Sequence, residues 1–135
     1  MNKAKIAVLG AGSWGTALAN LLSNNALDVT LWGNEPEHIN EIKKTGFNQA
    51  YLEDIPLSKT LSYATDLQSA VKNSAAVLIG TPSFALRDVL ENTAPFVTPD
   101  MIFILACKGF EEKTGALLHD VFQQILPNNK LTVLS

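Results

Sequence analysis

The stretch Ala4-Lys5-Ile6-Ala7-Val8-Leu9-Gly10-Ala11-Gly12-Ser13-Trp14-Gly15-Thr16-Ala17-Leu18-Ala19 passes from a buried-strand pattern, through G-x-G-x-x-G, into a helix pattern. A glycine-rich hexapeptide alone is a weak signal, because similar turns recur in many loops. Between a strand and a helix, each glycine acquires separate work. Gly10 makes the tight turn, Gly12 lets backbone approach a pyrophosphate, and Gly15 lets the helix lie close on the strand. The helix start offers free N–H groups and the positive end of its dipole to phosphate oxygens. A βα turn that uses its glycines for packing alone is the competing reading.

Outward from this turn, apolar runs alternate with helical patterns, which indicates βαβ units and a parallel sheet. Ile6–Leu9 reads as the first strand, followed by a helix from Ser13 to about Asn25. Val29–Trp32 reads as the second strand and Glu35–Lys44 as a helix, with Pro36 suited to its first turn and Gly46 to its end. Phe47–Ser58 reads as an irregular excursion with a short turn, and Thr60–Tyr63 as a weak third strand. Asp66 caps a short helix through Val71. Ala75–Ile79 is near-continuously apolar, the mark of a strand covered on both faces. Then come a helix over Phe84–Leu90, a strand at Ile102–Leu105, a helix over Gly115–Leu126 and a strand at Leu131–Leu134. This is the pattern of an α/β, doubly wound, mainly parallel sheet with helices on both faces. The last run has the character of a core strand, so residues 1–135 read as the first domain of a longer protein.

The whole-chain properties narrow the class. The chain has 135 residues, enough for one domain with a real core, and is 47% hydrophobic and 17% charged. A net charge of −3 without any Lys/Arg cluster gives no footprint for nucleic acid. No segment approaches the roughly 18 apolar residues of a membrane span. One cysteine, Cys107, has no internal partner, and the N-terminus lacks a signal-peptide pattern. Together these point to a cytoplasmic protein.

In parallel α/β sheets ligands lie beyond the carboxyl ends of the strands. Four segments meet that condition. The first is Gly10–Gly15, where Ser13 suits a helix cap and Trp14 suits either a cofactor contact or the core. At the second strand end, Trp32-Gly33-Asn34-Glu35 carries no arginine; Asn34 repels neither a ribose hydroxyl nor a 2′-phosphate, and Glu35 suits either the ribose or the next helix start. In Gly80-Thr81-Pro82-Ser83-Phe84, Ser83 is a natural cap, and Phe84 can supply an apolar wall beside the nicotinamide half of a dinucleotide. In Ala106-Cys107-Lys108-Gly109, Lys108 follows an apolar strand and is a compact positive charge suited to an anionic substrate or phosphate. His38 and His119 lie on expected helices without triad or metal partners, Cys107 reads as a buried strand residue, and no metal-ligand spacing occurs.

Taken in order, further segments extend the pattern across the chain: Leu31-Trp32-Gly33 with Pro36-Glu37-His38, Asn48-Gln49-Ala50-Tyr51-Leu52, Ile55-Pro56, Thr81-Pro82-Ser83 with Leu86-Arg87, and Lys108-Gly109-Phe110-Glu111. With the glycine turn, this set resembles the bacterial NAD(P)-dependent glycerol-3-phosphate dehydrogenases, over their N-terminal Rossmann-type cofactor domain. The resemblance implies reversible hydride transfer between NADP or NAD and dihydroxyacetone phosphate, giving sn-glycerol 3-phosphate for phospholipid synthesis. It implies that Ser13, Trp14, Asn34 and Lys108 contact the cofactor and that Lys108 also reaches the substrate. Asn34 stands where such proteins often carry histidine or arginine, which leaves the choice between NADP and NAD open. The resemblance also places the general acid/base and most substrate-phosphate ligands in an all-helical second domain, which offers a homodimer contact as well. No catalytic residue is therefore expected in this chain. A dinucleotide-sensing module without redox chemistry is the alternative that the same turn permits.

Overall fold

The computed structural model describes residues 4–107 and 109–134. Its elements in chain order are β1 (Lys5–Leu9), α1 (Ser13–Asn24), β2 (Asp28–Trp32), α2 (Pro36–Thr45), β3 (Phe47–Asn48), β4 (Leu52–Pro56), β5 (Ser62–Ala64) and α3 (Leu67–Val71). They continue with β6 (Ser74–Ile79), α4 (Leu86–Thr93), β7 (Ile102–Leu105), α5 (Leu118–Ile125) and β8 (Lys130–Val133). Six strands form one parallel sheet in the order β5-β2-β1-β6-β7-β8. Strand order reverses at β1, so a crevice opens between the carboxyl ends of β1 and β6.

The period-2 alternation of β1 supplies both faces of the core. Ala7 and Leu9 enter one apolar cluster with Val71, Leu86, Leu90, Val121 and Phe122, from α3, α4 and α5. Ile6 and Val8 face the other cluster, with Ala19, Ile39 and Ile42 from α1 and α2. Phe103 in β7 and Phe122 in α5 are fully buried, with ring centroids 5.2 Å apart, so one aromatic contact joins sheet to helix. The buried side of α1 is made of small residues, Gly15, Thr16, Ala19 and Ser23, while Trp14 and Leu21 face solvent. That stripe lets the helix axis lie close to the sheet.

Several boundaries differ from expectation, each for a local reason. The third strand runs over Ser62–Ala64 rather than Thr60–Tyr63, because Thr60 is drawn into a hydroxyl cluster with Ser23 and Ser58, and the Leu61 amide closes a turn onto the Ser58 carbonyl. Phe47–Ser58 is not irregular throughout: β3 and β4 form a small antiparallel hairpin, pairing Phe47 with Pro56 and Asn48 with Leu52. The fifth helix starts at Leu118 rather than Gly115, because Gly115 has φ +74° in a turn whose amide bonds the Glu111 carbonyl. The helix expected from Phe84 opens as a 3-10 turn over Ser83–Ala85, becomes α-helical at Leu86 and runs on to Thr93. Leu131–Leu134 is not a core strand. β8 is an edge strand with mostly exposed residues, since only β7 pairs with it, although Leu131 and Leu134 each pack against one face.

Two expected caps are also corrected. Gly12, not Ser13, is the N-cap of α1, and Pro82, not Ser83, precedes the 3-10 turn; neither serine side chain makes a cap hydrogen bond. The other local signals hold. Asp66 Oδ2 accepts from the Ser69 amide at 2.9 Å, Pro36 opens α2, and Gly46 closes it at φ +79°.

The joint between β1, α1 and β6 admits no side chains. A Cβ on Gly15 would lie 2.0 Å from the Gly10 carbonyl oxygen, and one on Gly10 would lie 2.8 Å from the Gly80 carbonyl and the Thr81 nitrogen. Gly15→Ala is therefore expected to cost more than about 3 kcal/mol, above the usual range for overpacking, because the struck atom is backbone. A urea unfolding midpoint equal to that of the unmodified protein would contradict this.

Candidate functional site

The carboxyl ends of the strands are tied together by backbone bonds running one residue past each strand. Gly10 N–H donates to Trp32 O at 2.8 Å, Gly80 N–H to Leu9 O at 2.8 Å, and Ala106 N–H to Ile79 O at 2.9 Å. These bonds set the glycine turn, the end of β2 and the turn after β6 around one cavity of about 240 Å³. Gly10 and Gly12 line it together with Asn34 and Glu35 after β2 and Thr81 and Phe84 after β6. A wider cleft of about 1300 Å³ lies at the opposite ends of the strands, beside Lys5, Asp28 and Ser74. It lacks the glycine turn and a helix N-terminus, and in this fold the ligand side is the carboxyl side.

The three turn glycines are not equivalent. Gly10, at φ +121°, and Gly15 are demanded by the protein's own packing. A Cβ on Gly12 would meet nothing within 4 Å, and its φ of −79° suits any residue. Packing accounts for the first and third glycines and leaves the second unexplained. Above Gly12, the first intrahelical acceptor of α1 is Gly12 O, bonded by the Thr16 amide at 3.0 Å, so the amides before Thr16 have no intrahelical partner. Such a helix start can hold an anion. Two buried polar atoms on the cavity wall, Trp32 Nε1 and Thr81 Oγ1, have no hydrogen-bond partner among the described residues.

Of the residues singled out from sequence, Gly10, Gly12, Asn34 and Phe84 line this one cavity. Phe84 is 82% exposed and lines it together with Asn34 and Glu35. Ser13 and Trp14 lie outside it on the first turn of α1; Trp14 is 52% exposed and so is not a core residue. Lys108 lies outside the described residues. Cys107 follows β7 rather than lying within it, and is half-buried; burial pushes its thiol up to about 11, so it is protonated near neutral pH.

His38 and Tyr51 also line the cavity, with rings 5.5 Å apart in an edge-on arrangement. Sequence reasoning left His38 as an unassigned helix residue. Its Nε2 contacts Asn48 Oδ1 at 2.9 Å, and Asn48 is completely buried against the glycine turn. Nothing local in the sequence marks that contact, because it depends on the turn at Gly46 folding β3 back beside α2.

A second cluster braces the segment after β7. Arg87 Nε and Nη2 donate to the two carboxylate oxygens of Glu111 at 2.8 and 3.0 Å, and Nη2 also reaches Gln124 Oε1 at 3.1 Å. The Thr114 hydroxyl donates to Glu111 Oε1 at 2.6 Å. The fork-on-carboxylate geometry fixes direction as well as distance. Hydrogen bonds from Arg87, then from Thr114, hold the Glu111 carboxyl down at about 2, against an ordinary 4.5.

A six-stranded parallel sheet in this order, with a glycine turn feeding a helix N-terminus at the strand-order reversal, defines a Rossmann-type α/β domain. Residues 5–135 match the family described as the NAD-dependent glycerol-3-phosphate dehydrogenase N-terminus, and the chain belongs to that family. It is 40% identical over 131 residues to a glycerol-3-phosphate dehydrogenase [NAD(P)+] from Citrifermentans bemidjiense, covering 97% of this chain and 39% of that one. The crystal structure of glycerol-3-phosphate dehydrogenase from Coxiella burnetii superposes with a TM-score of 0.91 at 35% identity, over 97% of this chain and 40% of that one. The glycerol-3-phosphate dehydrogenase GPD1 of Saccharomyces cerevisiae superposes with a TM-score of 0.87 at 26% identity, over 99% of this chain and 42% of that one. The chain thus spans about two fifths of the length of the relatives it matches. Among the described residues there is no cluster of metal-ligating side chains, and no helix is long and apolar enough to cross a membrane.

The depressed Glu111 carboxyl has a pH signature. A carboxylate whose value falls on folding stabilises the native state above its unfolded value and loses that contribution as pH drops towards its folded one. Glu111→Gln should therefore lower the melting temperature at pH 7, with the gap to the unmodified protein closing as pH falls from 4.5 to about 2. A gap that stays constant over that range would show that the carboxylate charge plays no part.

Proposed function

We propose that residues 1–135 form the cofactor-binding domain of an enzyme that interconverts dihydroxyacetone phosphate and sn-glycerol 3-phosphate with NADP or NAD. One observation carries this reading. Gly12 is a glycine for which the protein's own packing gives no reason, at the start of a helix with unpaired amides. Close approach of a pyrophosphate supplies the reason. The cavity suits the group: the glycine turn lines it together with Asn34, Glu35 and His38 after β2 and Phe84 after β6.

Bound at this site, the nicotinamide cofactor supplies the hydride. The chain's own residues bind and orient. The amides of Gly12, Ser13 and Trp14 hold the pyrophosphate against the dipole of α1. Asn34 meets the adenosine ribose without a charge, which leaves either cofactor form acceptable, while Phe84 supplies an apolar wall beside the nicotinamide half. Lys108 brings positive charge to the cofactor and to the substrate's anionic end. The general acid/base and most phosphate ligands belong to a second, helical domain, through which two copies pair. The protein works in the cytoplasm and supplies glycerol 3-phosphate for phospholipid synthesis.

In the full-length protein, Gly12→Ala should cost no more than about 1 kcal/mol of stability, the loss expected when alanine replaces the better N-cap glycine at a site with no steric conflict. The same change should weaken NADPH binding at least about tenfold, because a methyl group displaces a hydrogen-bonded phosphate. Fluorescence titration with NADPH and NADH reads the loss. Failure of the unmodified protein to bind either at millimolar concentration would overturn the reading.

Lys108→Ala in the same protein should reduce turnover far more than melting temperature. Normal activity per folded molecule, with a large drop in melting temperature, would remove Lys108 from the site.

A further inference from the structure

Asn48 is a fully buried carboxamide in a two-residue strand of a hairpin whose other residues are exposed or half-buried. Both N–H donors of its side chain and one lone pair of its oxygen are used. Nδ2 donates to the Ala11 carbonyl at 3.0 Å and to Thr16 Oγ1 at 2.8 Å, and Oδ1 lies 2.9 Å from His38 Nε2. The carbonyl of Ala11 can only accept, so the amide cannot be turned over without setting oxygen against oxygen. Oδ1 therefore faces His38, and it is Nε2 of that ring that carries the proton and donates.

The consequence falls on the glycine turn. The peptide joining Ala11 to Gly12 is planar and trans, so its C=O and N–H point in opposite directions. Tying the Ala11 carbonyl to Asn48 turns the Gly12 N–H away from the hairpin. A second bond from the same amide, to Thr16, anchors it to the first turn of α1, whose leading amides have no intrahelical partner. The opposite partner, His38, begins on α2 beside the end of β2 and lines the cavity itself. Burying a carboxamide costs more than burying an apolar side chain unless all its bonds are made. Here both donors and the oxygen have partners, on the turn and on α1 and α2.

We propose that Asn48 is a positioning residue for dinucleotide binding, which orients the Gly12 amide towards the cofactor pyrophosphate by holding the Ala11 carbonyl. This rests on the reading of the turn as a pyrophosphate site. Asn48 does not touch the ligand; it acts through the peptide that does.

The test uses the full-length protein and two near-isosteric variants. Asn48→Asp replaces both donors with acceptors at unchanged shape. Thr16→Val removes one of the two bonds from a buried position that reaches the ligand only through the turn. For Asn48→Asp, KM for NADPH and the inhibition constant of ADP should both rise roughly tenfold, a loss expected when an oriented hydrogen bond is released. In that variant kcat at saturating cofactor and KM for dihydroxyacetone phosphate should stay within about twofold, because only cofactor binding is touched. Thr16→Val should show the same split with a smaller rise, and keeps the test open if Asn48→Asp fails to fold. A merely structural Asn48 would lower stability and leave the KM for NADPH of the folded enzyme unchanged; that result in either folded variant overturns the proposal. Failure of the unmodified protein to bind NADPH or ADP is a different outcome, and would remove the pyrophosphate reading and this proposal with it.

Discussion

The organising constraint is a contact between backbones. At Gly10, Gly15 and Gly80, three chain segments meet with nothing but main-chain atoms between them: the end of β1, the first turn of α1 and the end of β6. A Cβ on Gly80 would already lie 3.2 Å from the Gly15 Cα. That closeness lets α1 point its first amides at the crevice instead of over it. It also explains why α1 buries Gly15, Thr16, Ala19 and Ser23 and turns its bulk outward. Larger residues on the inner face would lift the helix, and the turn would no longer sit at the sheet's edge.

Everything else in the domain serves to hold that joint in register. The sheet extends to either side through parallel pairing, and each face is covered by helices whose apolar stripes match the alternation of β1. The bonds that run past the strand ends, from Gly10, Gly80 and Ala106, keep the ligand-side rim level. Beyond the rim, the Arg87–Glu111 fork ties α4 to the segment after β7, so the flank of the crevice is set by directional hydrogen bonds as well as by apolar contact.

Much of this was readable from residue pattern. The β1–turn–α1 unit, the apolar runs at Val29–Trp32, Ala75–Ile79 and Ile102–Leu105, the Asp66 cap and the Gly46 stop all carry signals a few residues long. What escaped depends on partners far along the chain. Thr60 has the composition of a strand residue but is claimed by Ser23 and Ser58. Gly115 falls in a helical pattern, yet adopts φ +74° because the Glu111 turn closes there. Leu131–Leu134 is as apolar as a central strand, and its place at the sheet edge is a fact of topology rather than of local sequence. At the site, the glycines and Asn34 announced themselves by position. Asn48 did not: it sits 37 residues from the carbonyl that it holds.

The β3–β4 hairpin has a consequence for which lengths of chain this family can tolerate. Its tip, residues 49–51, is exposed, and although the Tyr51 ring packs edge-on against His38 at the cavity, extra residues between Gln49 and Ala50 extend into solvent. A single insertion or deletion between Gly46 and Asn48 is a different matter. Strand residues alternate sides, so a slip of one position would swing the carboxamide of Asn48 to the outer face and bring a neighbour's side chain against the glycine turn. A segment that looks like a dispensable surface excursion thus has free length on one side of Asn48 and none on the other.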